Sequence, residues 1–136
     1  MTIRSVAVIG LGLPGGSLGL ALREHLPAVT TTGYDADPAT RDRARERALV
    51  GTVCETAAQA VADLVVLCVP VGAMARAAHD IAPHLAAHAI VSDVGSSKQS
   101  VARALAEVLP GHTVIPAHPV AGTEQSGPDA GFAALF

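Results

Sequence analysis

Apolar residues in this chain gather into short runs, and between the runs lie stretches that favour helix. Ile3 to Ile9 is apolar and β-branched and stops at Gly10, after which Ser17 to Leu26 suits a helix. Thr30 to Tyr34 reads as a second short strand ending at Asp35. Asp37 and Pro38 then open a charged helix running through Ala48, with Asp37 as its N-cap and Pro38 at its first position. Val50 to Cys54 reads as a short third strand. Leu64 to Val69, bounded by Asp63 and Pro70, is the unbroken run expected of a central parallel strand covered on both faces. A helix over Ala73 to Ile81, a strand over Ala89 to Val94, a helix over Lys98 to Leu109 and a last strand at Thr113 to Ile115 complete the order. Such alternation predicts an α/β domain: a parallel sheet wound on both sides by right-handed crossovers, with ligands at the carboxyl ends of its strands. No repeat, low-complexity tract or linker breaks the pattern, and 136 residues suit one domain.

Composition agrees with this and narrows the partners. Half the residues are hydrophobic but only 2% are aromatic, so the core is expected to be Ala, Val, Leu and Ile, as in buried parallel strands flanked by Ala-rich helices. The net charge is -3 and no run of Lys or Arg occurs, so nucleic acid is not an expected partner. Ser5 to Leu22 carries no charge, yet its five glycines and Pro14 suit neither a signal peptide nor a spanning helix. A soluble, cytoplasmic protein with no membrane association is expected. Cys54 and Cys68 lack CxxC or metal-ligand spacing and read as reduced thiols in or near the core. His25, His79, His84, His88 and His112 show no recurring ligand spacing with carboxylates or cysteines, so no metal is expected. No G-x-S-x-G elbow is present to support nucleophilic hydrolysis.

Gly10, Gly12 and Gly15 form G-x-G-x-x-G where the first strand turns into the first helix. The first glycine permits the tight turn, the second lets backbone approach a diphosphate, and the third lets helix pack close on strand. A diphosphate would then sit on the helix N-terminus, where amides and dipole favour negative charge. Taken alone the glycines are a weak signal, since a plain Gly-rich turn would show them too. Asp35 adds context, lying 20 residues after Gly15 at the end of the second strand, where a carboxylate accepts ribose hydroxyls and repels a 2′-phosphate. This favours NAD over NADP within a Rossmann-type doubly wound sheet. Arg41 is the nearby group that could rescue a 2′-phosphate, or else a solvated helix residue. The expected cofactor contacts are Gly10, Gly12, Leu13, Gly15, Asp35, Val69, Pro70 and Val71. No Walker-spaced Lys-Ser or Lys-Thr follows the glycines, which excludes a P-loop.

Two stretches of the second half, Asp93-Val94-Gly95-Ser96-Ser97-Lys98 and His118-Pro119-Val120-Ala121-Gly122-Thr123-Glu124-Gln125-Ser126-Gly127, closely resemble signatures of the prephenate/arogenate dehydrogenase family. Gly10 to Leu18 is similar to that family too, so the resemblance spans essentially the whole chain. It implies NAD-dependent oxidative decarboxylation of prephenate or arogenate in tyrosine biosynthesis, with this chain as the nucleotide-binding half. His118 matches the family's catalytic histidine, suited to accept the hydroxyl proton as hydride leaves. Ser96 matches the serine that hydrogen-bonds near the reacting hydroxyl; it could equally cap the helix beginning near Lys98. Thr123 and Glu124 join Ser96 and His118 as expected substrate contacts, Glu124 either gating the entrance or lying on a surface loop. Family members continue into a helical domain through which they homodimerise and which supplies basic groups for the substrate. This chain ends at Phe136 without one, so the isolated chain is expected to turn over poorly or not at all. The alternative is a non-catalytic NAD(H)-binding or redox-sensing module descended from the same family.

Overall fold

The computed structural model describes residues 2–94 and 105–116. Its six strands are β1 (Ser5–Ile9), β2 (Thr30–Tyr34), β3 (Thr52–Val53), β4 (Leu64–Leu67), β5 (Ile90–Asp93) and β6 (Thr113–Pro116). All neighbouring pairs are parallel, in the order β3-β2-β1-β4-β5-β6. This is the Rossmann-type doubly wound order, and its direction reverses between β1 and β4, where such sheets open a crevice for ligands. The helices are α1 (Leu13–His25), α2 (Pro38–Glu46) and α3 (Met74–Ile81), and residues 105–108 are also helical.

Successive side chains of a strand point to opposite faces, so β1 feeds two cores. Val6 and Val8 join Leu18 and Leu22 of α1, Ala44 of α2, and Leu49 and Val50 on one face. Ala7 and Ile9 join Val65, Leu67 and Val91 with Met74, Ala78 and Ile81 of α3, Leu105 and Leu109 on the other. Val6, Ala7 and Val8 are fully buried, which is why this segment shows no polar alternation.

Element boundaries depart from the sequence expectation for identifiable reasons. β1 begins at Ser5 rather than Ile3, because the Arg4 amide donates to the Asp63 carboxylate at 2.9 Å instead of joining a ladder. α1 begins at Leu13, four residues before Ser17, since Pro14 needs no amide partner in a first turn and the glycines after it are helical. β3 contracts to two residues: Val50 is drawn into the core, and the Gly51 amide donates to the Thr31 hydroxyl at 2.8 Å. α2 stops at Glu46, and Ala48 follows at φ 51°, the left-handed conformation that closes helices, while the Leu49 amide reaches back to the Ala44 carbonyl at 3.0 Å. Asp37 caps this helix as expected, accepting from the Ala39 amide at 3.1 Å. Among the described residues no helix is long and apolar enough to cross a membrane.

Candidate functional site

The glycine turn is shaped by the strands around it. The Gly10 amide donates to the Tyr34 carbonyl at 2.7 Å, and Gly10 adopts φ +100°, a conformation costly for any residue with a side chain. A β-carbon there would also stand 2.8 Å from the carbonyl oxygen of Cys68. Gly15 lies in the first turn of α1 against the Gly10 carbonyl, where any β-carbon would collide with that oxygen. The third fingerprint glycine therefore does what the motif requires: it lets α1 start directly above β1. Gly12 caps α1 without a side-chain hydrogen bond, so no side chain occupies the start of the helix, where the amides and dipole of a first turn favour an anion.

Asp35 stands just past β2, and both of its carboxylate oxygens are engaged. Oδ2 accepts from the Leu11 amide at 2.8 Å and Oδ1 from the Asp37 amide at 2.9 Å. The acid thus ties the end of β2 to the glycine turn, while a carboxylate's remaining lone pairs can still accept from ribose hydroxyls. Arg41 is not the solvated helix residue that the sequence allowed. Its guanidinium donates to the Asp35 carbonyl at 2.8 Å, lies 5.7 Å from the Tyr34 ring centroid and 3.8 Å from Glu55, and its side chain is only 14% exposed. Arg45 joins the same network through Asp42 and Glu55.

These groups open onto a cleft of about 710 Å³ at the carboxyl ends of β1, β2 and β4. Six of the expected cofactor contacts line it: Gly10, Gly12, Asp35, Val69, Pro70 and Val71. Gly15 is buried behind the turn, acting through packing. Leu13 lies apart from this lining: it is 84% exposed and lines a separate groove of about 430 Å³ between α1 and α2, together with Arg43 and Arg47. Its backbone amide, at the start of α1, belongs to that first turn. Ser96, His118, Thr123 and Glu124 lie outside the described residues, as do Ser97 and Lys98. Asp93, which begins the first signature stretch, ends β5 as a buried acid.

Cys68 lines the cleft floor, where burial, with Asp93 adding negative charge nearby, pushes its thiol up to about 12. Burial raises Cys54 as well. Neither is poised as a nucleophile, which requires a lowered pKa. No group of three or more His, Cys, Asp or Glu able to hold a metal occurs among the described residues. The sequence reading missed Tyr34, Arg76 and Asp80, which line the cleft too. The last two form an i,i+4 pair on α3 that in a sequence resembles any solvated helix pair.

Comparison with known proteins follows this geometry. Residues 18–136 match the family model described as "Prephenate dehydrogenase, nucleotide-binding domain". The chain is 48% identical over its whole length to a cyclohexadienyl dehydrogenase of Zymomonas mobilis, 47% of which it covers. Its fold superposes with TM-score 0.80 and 29% identity on a prephenate dehydrogenase of A. aeolicus crystallised with hydroxyphenyl propionate and NAD+, over 95% of this chain and 46% of that one. A Synechocystis arogenate dehydrogenase superposes at TM-score 0.75 and 33% identity, over 93% and 44%. The chain spans less than half the length of each of these relatives.

Proposed function

We propose, from the premise that this chain belongs to the prephenate dehydrogenase family as its nucleotide-binding domain, that residues 1–136 hold NAD(H) as one dinucleotide-binding domain and form half of a dehydrogenase acting on prephenate or arogenate. The observation that carries the reading is Asp35, an acid fixed across the glycine turn by two backbone amides, with the nearest arginine withdrawn into other contacts. The cleft fits a dinucleotide on its own terms. The first-turn amides of α1 would take the diphosphate, Asp35 would accept from the adenosine ribose and repel a 2′-phosphate, and Val69, Pro70 and Val71 would wall the middle of the ligand. NAD is favoured over NADP.

When bound, the nicotinamide provides the acceptor for a hydride from the carbinol carbon of the substrate. His118, set in the His-Pro-Val-Ala-Gly-Thr-Glu stretch, is the group we assign to take the hydroxyl proton, with Ser96 hydrogen-bonding beside it and Thr123 and Glu124 contacting the substrate. Loss of the ring carboxylate as carbon dioxide then aromatises the ring. Dimerisation and the cationic groups for the anionic substrate fall to the part of the relatives that this chain does not span.

The test uses a full-length version of the enzyme. His118→Asn keeps a polar side chain but removes the proton acceptor, so turnover should fall by about 100-fold to 10,000-fold while NADH affinity is unaltered. Near-normal turnover in that variant would refute the assignment, and NADH binding with no turnover in any full-length version would leave a sensing module in its place.

A further inference from the structure

A dinucleotide laid along the cleft leaves one end unassigned. With the diphosphate at the start of α1 and the ribose at Asp35, the base would extend away from the glycine turn into the part of the cleft lined by Ala36, Ala57, Ala73 and Ala77. These walls are small and apolar, as a flat ring needs. Arg76 and Asp80 are the only charged side chains besides Asp35 among the described residues lining the cleft. They lie one helical turn apart on α3, 3.7 Å from each other, with side chains 84% and 47% exposed. An ion pair so exposed contributes little to folding, so the guanidinium can turn onto a ligand at small cost.

We infer that Arg76, oriented by Asp80, stacks on the adenine ring and is a specificity residue for the base; this rests on the nucleotide reading of the cleft. A guanidinium is planar and weakly hydrated, and it lies readily on aromatic faces. Two observations favour the base over a phosphate as its target. Asp80 beside Arg76 would repel a second anion such as a phosphate but not a neutral ring, and Asp35 already makes the ribose end of the cleft hostile to a 2′-phosphate.

Calorimetry on this chain with NADH, NADPH and AMP tests the inference, since AMP contains the base but neither the nicotinamide nor the diphosphate bridge. Arg76→Ala should weaken all three by the same factor, about twofold to fivefold. Arg76→Lys, which keeps the charge but not the plane, should behave like Arg76→Ala. Loss confined to NADPH, full affinity retained by Arg76→Lys, or no change in Arg76→Ala would each overturn it. If the parent chain itself bound neither NADH nor AMP, the nucleotide reading would fall; a parent that binds beside an indifferent Arg76→Ala would sink the stacking role alone.

Discussion

Asp35 shows how much one residue can carry. Its spacing from the glycines is legible in the sequence, and so is the ribose role proposed for it. Its bond to the Leu11 amide is not, because it is a contact across 24 residues that exists only once β1 and β2 are paired. The same holds for Arg41, whose engagement with the Asp35 carbonyl and Tyr34 ring is a matter of where the end of β2 comes to lie. Two substitutions separate the two duties of the acid. Asp35→Asn removes the charge while retaining one oxygen acceptor, so calorimetry should show the preference for NADH over NADPH narrowing. Asp35→Ala should in addition lower unfolding stability in urea by about 1–3 kcal/mol, because the part-buried Leu11 amide loses its acceptor. Equal stability of Asp35→Ala and the parent would show that the acid does not hold the turn.

At the level of elements, the strands of the sheet centre were legible to within two residues, because fully buried parallel strands announce themselves as unbroken apolar runs. Helix starts and edges were less so. Gly15 and Gly16, just before Ser17, read as part of the turn, but they lie in α1, packed against the Gly10 carbonyl and Leu49 where a side chain would not fit. The end of α2 carries a comparable conflict, resolved against the residue: Ala48 occupies a left-handed position where glycine is preferred. Ala48→Gly should therefore stabilise the chain by up to about 1 kcal/mol, the left-handed cost of roughly 1–2 kcal/mol less the extra freedom of an unfolded glycine, read as a higher urea midpoint at unchanged slope. A lower midpoint would mean that the added freedom of the unfolded glycine outweighs the relieved backbone. The carbonyl of Ala48, which accepts from Arg23, keeps its partner either way.

Across the whole molecule, the two edges of the sheet have different tasks. The carboxyl edge carries the cleft, while the amino edge is closed by Asp63. That acid accepts from the Arg4 amide at 2.9 Å and pairs with His88 at 2.8 Å, its carbonyl accepts from the Ile90 amide, and its own amide donates to the Ser5 hydroxyl. The entries of β1, β4 and β5 thus meet on one residue, whose carboxylate joins Arg4 to His88. The hydrogen bond from His88, followed by that from Arg4, holds the Asp63 carboxyl below its ordinary range. A folded-state pKa below the unfolded value of about 3.9 contributes stability that is fully present above that value and is lost as pH falls through the lower one. The advantage of the parent over Asp63→Asn in urea unfolding should therefore be present at pH 6 and shrink toward pH 3. An advantage unchanged across that range would show that the carboxylate's charge is not what joins Arg4 to His88. Nothing in the sequence around Asp63 marks it, since its partners come from positions 4, 5, 88 and 90.

The position of Tyr34 has a consequence of a different kind. The chain contains one tyrosine and no tryptophan, and that tyrosine lines the cleft beside Asp35. Nearly all of the protein's ultraviolet emission thus originates from a single ring at the mouth of the ligand site. Once absorption by the nucleotide itself is corrected for, a saturable change in its intensity on adding a nucleotide reports on that cleft without a label, and a shift in the same signal under denaturant reports when the end of β2 comes loose.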